Sequence, residues 1–333
     1  MNLIIPMAGR GSRLRPHTLT VPKPLVSVAG KPIVQRLVED LASMSPRPFD
    51  NIAFVIGDFG PAVEKDLLSL AESLGAKGHI RHQEQPLGTA HAVWCAQEFL
   101  DGEAVVAFAD TLFRADFNLD DGADGHLFVK RIEDPRQFGV VVLDDAGVIQ
   151  AYAEKPEEPV SDLAMIGIYH FRDAAGLKRE IGKLIDGGVQ KGGEYQLPDA
   201  LRELTEQGVR FMPGEVNAWM DCGNRKVTVE TNGRVLEFMG ADAKVHDGAT
   251  VENCQILPPC EVLPGAVLKD SIIGPRVTVG AGTVIERSTI QDSLIGEHTH
   301  IHGAYLNGSM IGSHAKVIQK ASDLSLGDFC EMQ

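Results

Sequence analysis

Apolar residues in the first half of the chain alternate between short unbroken runs and stretches with helical spacing. The runs at 3–7, 52–56 and 104–109 predict strands buried on both faces. Between them, Ile33, Val34, Leu37, Val38 and Leu41 share one helical face after Pro32, and Val63, Leu67, Leu70, Ala71 and Leu74 share another that stops at Gly75. A strand at 79–82 and a helix from Thr89 through Leu100, with Thr89 as its cap, continue the alternation. Strands and helices in turn predict an α/β fold with a mostly parallel, mixed sheet flanked by helices. From 126 to 171 the pattern changes to strands separated by turn residues, at 127–130, 139–143, 148–153 and 164–171, which predicts antiparallel pairing. Helices at 173–187 and 196–207, a short strand at 210–212 and a helix at 224–239 then complete a domain of residues 1–240.

Beyond about residue 243, aliphatic side chains recur every six positions: Val245, Val251, Leu257, Leu263, then Val267, Ile273, Val279, Ile285. The register slips at Ile290 and Ile295 and recovers through Ile301, Ile311 and Val317. Hexapeptide repeats predict a parallel β-helix over 241–333, whose coils must stack because none can bury its apolar side chain alone. Residues 322–333 are its candidate end cap. Such a solenoid offers a self-association surface, so a homo-oligomer is expected.

The chain has 333 residues, 44% of them hydrophobic, and a formal net charge of −15, which bounds its partners. Neither a nucleic acid nor an anionic membrane suits an acidic chain without a basic stripe. No stretch reads as a signal peptide or a membrane span. The five cysteines (Cys95, Cys222, Cys254, Cys260, Cys330) are scattered without CxxC spacing, which points away from disulfides and zinc and toward a reducing cytoplasm.

Against that acidic background, residues 8–24 invert the sign. The segment Ala-Gly-Arg-Gly-Ser-Arg-Leu-Arg-Pro-His-Thr-Leu-Thr-Val-Pro-Lys-Pro follows the first strand, where open α/β sheets bind ligands. Gly9 and Gly11 let the backbone bring N–H groups close to an anion, and Arg13, Arg15 and Lys23 add positive charge. A dinucleotide fingerprint would need glycine where Leu14 stands, and no Walker loop occurs in the chain. Pro22 and Pro24 fix the direction of Lys23. Two carboxylates stand where they can reach a ligand: Asp110 at the end of a buried strand, and Asp221 in a Trp-x-Asp-x-Gly turn.

The long pattern G-x-G-[ST]-R-[LM]-x-P-x-T-x-x-x-P-K-P resembles the signature of the sugar-1-phosphate nucleotidyltransferases, and the glucose-1-phosphate thymidylyltransferase type with a C-terminal left-handed β-helix fits the whole chain. The resemblance implies a Rossmann-like nucleotidyltransferase fold. It also implies attack of a sugar 1-phosphate on the α-phosphorus of a nucleoside triphosphate, with Mg²⁺ as cofactor. Position by position, it puts Ala8, Gly9, Gly11, Ser12, Arg13 and Lys23 on the phosphates. Gln83, Gly88 and Thr89, in Q-x-x-P-L-G-T-A, read the base, and Asp110 and Asp221 hold the metal. Glu154 and Lys155, in an E-K-P motif, take the sugar and its phosphate together with Gly139, Gly167 and Tyr169. Arg13, Lys23, Asp110, Lys155 and Asp221 form the implied catalytic set. The usual G-D-N reads Ala109-Asp110-Thr111, a departure on the ribose side. The donor is expected to be dTTP, with UTP as the alternative. A bifunctional enzyme with acyltransferase activity at His298, His300 and His302, or a non-catalytic nucleotide-sugar sensor, are the rival classes.

Overall fold

The structure is a computed structural model that describes residues 1–9, 11–116, 119, 122–158 and 160–319. The expected cap at 322–333 and Cys330 lie outside the described residues. The chain divides into two compact units: Met1–Val26 with Pro32–Gly223, and Ser27–Lys31 with everything from Asn224 onward.

The first unit is built on a mixed sheet, nine-stranded among the described residues. Strands β1 (Asn2–Pro6), β2 (Asn51–Ile56), β3 (Lys77–His82) and β4 (Ala104–Ala107) are parallel and lie in the order β3-β2-β1-β4. The order reverses between β1 and β4, and the chain leaves both at their carboxyl ends there, which opens a crevice suited to a ligand. Leu3, Ile4, Ile5, Phe54 and Val106 have no solvent exposure, as expected for strands covered on both faces.

Helix α1 (Ile33–Met44) buries the five predicted residues Ile33, Val34, Leu37, Val38 and Leu41. Helix α2 (Pro61–Ser73) fully buries only Leu67 and Ala71 and ends as predicted, with Gly75 in the left-handed region and Ala76 N–H donating to Ala71 O. The helix expected from Thr89 through Leu100 is shorter: α3 covers Thr89–Trp94, and a separate 3₁₀ turn follows at Gln97–Phe99.

A two-stranded ladder follows the crevice: β5 (Thr111–Arg114) pairs with a strand more than a hundred residues later in the chain. Strands β6 (Gly125–Arg131), β7 (Gly139–Leu143), β8 (Ile149–Glu154) and β9 (Leu163–Phe171) form the predicted antiparallel part, with β9 joining it to β4. Helices α4 (Ala175–Asp186) and α5 (Leu197–Glu206) come next. Strand β10 (Phe211–Glu215) pairs parallel with β6, and β11 (Ala218–Asp221) is the antiparallel partner of β5.

The second unit begins with α6 (Arg225–Met239), capped by the Asn224 side chain, which accepts from Val227 N–H. The sequence placed this helix at the end of the first domain, whereas its contacts belong to the second unit. The reason is visible at Asn232, which has no exposure: its Oδ1 accepts from Ala29 N–H and from the Thr278 hydroxyl. That one amide ties the 27–31 segment and a solenoid coil to the helix.

The rest of the unit is a β-helix of three parallel sheets with five, five and four strands among the described residues. Ala243 pairs with Cys260 and Cys260 with Val277, seventeen residues per coil; Val277 pairs with Ser293 and Val284 with His300, sixteen per coil. The inward positions are Val262, Leu268, Ile273, Val279, Ile285, Ile290, Ile295 and Ile301, each at most 1% exposed. Their spacing mixes fives with sixes throughout, so the strict six-residue register was one position off at Leu257, Leu263 and Val267, whose neighbours Ile256, Val262 and Leu268 hold the inward ladder positions. Corners absorb the difference. Asn253, Asp270 and Arg287 stack at one of them with φ near +49°, and Asn253 Nδ2 donates to Asp270 Oδ1 at 2.6 Å.

Candidate active site

After β1, the chain turns through Gly11 at φ +59°. A Cβ there would stand 2.8 Å from Lys23 Cβ, so the position needs glycine for its conformation and for space. The Thr18 hydroxyl donates to Gly11 O at 2.7 Å, and fully buried Leu14 anchors the one-turn 3₁₀ segment Ser12–Leu14. A second 3₁₀ turn, Lys23–Leu25, holds Lys23 at 8% exposure, aimed so that Nζ lies 3.0 Å from Asp110 Oδ2. Gly9, Gly11, Ser12, Arg13, Lys23 and Asp110 line a cavity of about 260 Å³.

The β5–β11 ladder explains how Asp221 arrives there. Asp221 sits opposite Thr111, and Cys222 N–H donates to Asp110 O at 3.1 Å, which sets the two aspartates side by side. Burial, and then the Asp110 charge, raise the Asp221 carboxyl above its ordinary value; Lys23, the Gly223 N–H and Arg13 pull the other way. A Cβ on Gly223 would come within 2.8 Å of Asp221 Oδ2, so glycine is what lets this turn close over the carboxylate.

At the carboxyl ends of β2 and β3 lies a larger cavity of about 930 Å³, lined by Ala8, Gly9, Arg15, Leu19, Phe59 and Gln83, among others. Gln83 N–H donates to Ile56 O, and its side-chain Nε2 reaches Gly88 O at 3.1 Å and His91 Nδ1 at 3.2 Å. Gly88 has φ +104°, and a Cβ there would stand 2.5 Å from Tyr195 O. Thr89 does not cap α3. Its hydroxyl accepts from Leu197 N–H at 2.9 Å, at the first turn of α5, and is thereby committed elsewhere.

The third cluster lies on the antiparallel strands. Gly139 faces Glu154 across β7 and β8, and a Cβ on it would stand 2.8 Å from Glu154 Oε2. Lys155 has φ +46°; its N–H donates to Phe138 O, and Nζ lies 3.6 Å from Glu154 Oε1, with both side chains more than 60% exposed. Gly167, at φ +82°, accepts from Phe108 N–H at 2.9 Å, joining β9 to the end of β4. Tyr169, expected among the sugar ligands, is instead a core residue, 6% exposed, with its ring edge-on to Phe108. Burial raises its phenol first of all, and the Glu154, Tyr152 and Asp110 charges add to that.

Thus Arg13, Lys23, Asp110 and Asp221 gather with the glycine loop, all within the first unit, while Lys155 pairs with Glu154. The sequence reading missed Phe59 and Asp58, although they follow β2 as Asp110 follows β4, and it missed His91 altogether. Of the solenoid histidines, His298 stacks on His314, while His300 and His302 each lie 3.5 Å from Glu286 Oε2.

A glycine loop beside a nearly buried lysine, two adjacent aspartates and a glutamine-lined cavity thus lie around the carboxyl ends of a parallel sheet. The family model described as nucleotidyl transferase matches residues 3–237, and the chain belongs to that family; a second model, the GMPPB C-terminal domain, matches 225–324. Among its relatives are a glucose-1-phosphate thymidylyltransferase of Streptomyces griseus (28% identical, 100% of this chain, 99% of the relative) and a mannose-1-phosphate guanylyltransferase catalytic subunit beta of Danio rerio (30%, 91% and 95%). A third is the low-salt glycan biosynthesis nucleotidyltransferase Agl11 of Haloferax volcanii (30%, 95% and 94%). These place the chain among the sugar-1-phosphate nucleotidyltransferases. A solved Bacillus anthracis structure assigned to glucose-1-phosphate thymidylyltransferase, with sucrose bound, shares the fold at TM-score 0.59 and 23% identity, over 70% of this chain and 94% of that one.

Proposed function

We propose that the protein transfers a nucleoside monophosphate from dTTP to glucose 1-phosphate, releasing pyrophosphate and forming a nucleotide sugar, with UTP as the alternative donor. The observation that carries this reading is the nearly buried Lys23 ammonium at 3.0 Å from Asp110, inside a cavity walled by the glycine loop. In this reading a sugar-phosphate oxygen forms the new bond to the α-phosphorus as the bond to the β-phosphate bridge breaks. A phosphate monoester has its second pKa at about 6, so the nucleophile is already ionised at neutral pH and no side chain has to remove a proton. What the protein must supply is charge and alignment. Arg13, Lys23 and the backbone of Gly9, Gly11 and Ser12 meet the donor phosphates, Gln83 and Gly88 meet the base, and Glu154 and Lys155 meet the sugar and its phosphate.

Asp110 and Asp221 fit a divalent cation. Adjacent carboxylates, one of them raised by burial and by the other's charge, are an arrangement that a cation relieves. They would hold Mg²⁺, which would offset negative charge on the phosphates. Among the described residues no group of three or more His, Cys, Asp or Glu could hold a metal, so substrate oxygens and water complete the shell in this reading.

Uridylyl transfer is kept as the second reading because uracil and thymine present the same hydrogen-bonding edge to Gln83. We further propose a homo-oligomer, supported by apolar side chains exposed on the solenoid such as Ile272 and Tyr305, and a reducing compartment, supported by four free cysteines among the described residues. No helix of the described residues is long and apolar enough to cross a membrane. The test of the activity is pyrophosphate release from a panel of nucleoside triphosphates and sugar 1-phosphates. Release requiring both substrates, with dTTP or UTP ahead of the purines, is expected; a purine donor ahead of both overturns the assignment of the base loop.

A further inference from the structure

The Gln83 amide can be oriented from its neighbours. Gly88 O is a carbonyl and can only accept, so the Gln83 atom 3.1 Å from it is the NH₂ nitrogen. That same nitrogen lies 3.2 Å from His91 Nδ1. With one N–H committed to Gly88, the other meets Nδ1, which must be the acceptor, and the imidazole proton resides on Nε2. Burial holds the His91 pKa below its ordinary value, in keeping with a neutral ring. Cys95 Sγ, 4.0 Å from Nδ1, is the other polar group beside that atom. Both amide protons are thus satisfied inside the protein, and Oε1 is left for whatever fills the cavity that Gln83 lines.

We infer that His91 is a positioning residue that locks the Gln83 amide with its oxygen toward the nucleotide, so that the site takes uracil or thymine and rejects cytosine. Uracil and thymine carry a ring N–H at N3, which the oxygen accepts. Cytosine has the same size but presents a lone pair at N3, so two acceptors would face each other, and the amide cannot turn over without breaking its bonds to Gly88 and His91. The inference rests on reading 83–89 as the base loop.

The test separates binding from turnover. Affinities for UTP, dTTP and CTP are measured by titration calorimetry without sugar phosphate, for the wild type and for His91→Leu, His91→Gln and Gln83→Leu. The wild type is expected to prefer UTP over CTP by at least ~30-fold. His91→Leu should reduce that ratio at least ~10-fold, and His91→Gln, whose amide oxygen can again accept, should restore most of it. An unchanged ratio in His91→Leu, or equal weakening for all three nucleotides, overturns the inference while leaving the base loop in place, provided Gln83→Leu loses the ratio. A wild-type ratio retained in Gln83→Leu removes the base-loop reading itself, and the inference with it. Absence of pyrophosphate release despite selective binding would instead count against the proposed activity alone.

Discussion

Lys23 Nζ and Asp110 Oδ2 stand 3.0 Å apart across 87 residues of chain, the lysine side chain 10% exposed and the aspartate side chain 47% exposed. The asymmetry matters: the cation is fixed by its surroundings, while the carboxylate keeps one side open to a ligand.

Lys23→Gln therefore removes a charge aimed at the phosphate cavity. Turnover is expected to fall at least ~100-fold, with little change in melting temperature because the exposed Asp110 can hydrate in place of its lost partner. Pyrophosphate-release kinetics and a thermal melt measure the two effects together. An active variant would rule out the lysine as a phosphate ligand.

Asp221→Asn should separate stability from activity. The folded pKa of Asp221 is raised, so the ionised form is disfavoured in the fold. Its stabilising share is complete below the ordinary carboxylate value of 3.8 and is lost as pH rises through the folded value. At neutral pH the charge is a burden, and the neutral amide is expected to raise the melting temperature while turnover drops at least ~100-fold. A lower melting temperature with full activity would contradict both halves.

Much of this site was legible in the sequence because it depends on where strands end and on short, strict spacings. Leu3 through Met7 and Ala104 through Ala109 announce buried strands, and the residues directly after each must lie at the sheet's edge. Thr89 shows where such reasoning stops: it has the right type to cap α3, but a partner 108 residues away, Leu197 N–H, takes its hydroxyl. The solenoid register was missed for a different reason. Corners accept five or six residues equally well, so periodicity alone cannot tell Val267 from Leu268. His91 gave no pattern at all, since its role depends on which way an amide faces.

Gly11→Ala tests the loop directly. The left-handed φ and the 2.8 Å approach to Lys23 Cβ make any side chain costly. A loss of about 1–3 kcal/mol in stability is expected, with a larger loss in nucleotide affinity because Lys23 must shift. Denaturant unfolding and calorimetry together check this; a stable variant with normal affinity would show the turn has another solution.

Acid should loosen the sheet where β9 lies between the amino end of β4 and β6. His170 is 1% exposed, hydrogen-bonded to Glu103 at 2.9 Å, and lies 3.4 Å from His126, with Arg172 near and Arg47 paired to Glu103. Burial above all, helped by the His126 and Arg172 charges, lowers its pKa against the opposing pull of Glu103. A lowered value means this group's stabilising share is complete above 6.5 and drains away as pH falls toward the folded pKa. Melting temperatures should decline between pH 7 and 5, and less steeply in His170→Gln. Equal slopes in the two proteins would exclude this histidine as the source.

The bond from Ala29 N–H to Asn232 Oδ1 spans 203 residues. During synthesis, residues 27–31 leave the ribosome long before α6 and the coils that carry Glu261, Leu263 and Thr278, the neighbours that Gly30 and Asn232 require. The segment must wait for these partners, with Ile33 N–H bonded to Val26 O across its two ends. The second unit is therefore assembled from two separated stretches of chain, 27–31 and the stretch that begins with α6. Transplanting either module would require carrying the five-residue insertion and its receiving helix together.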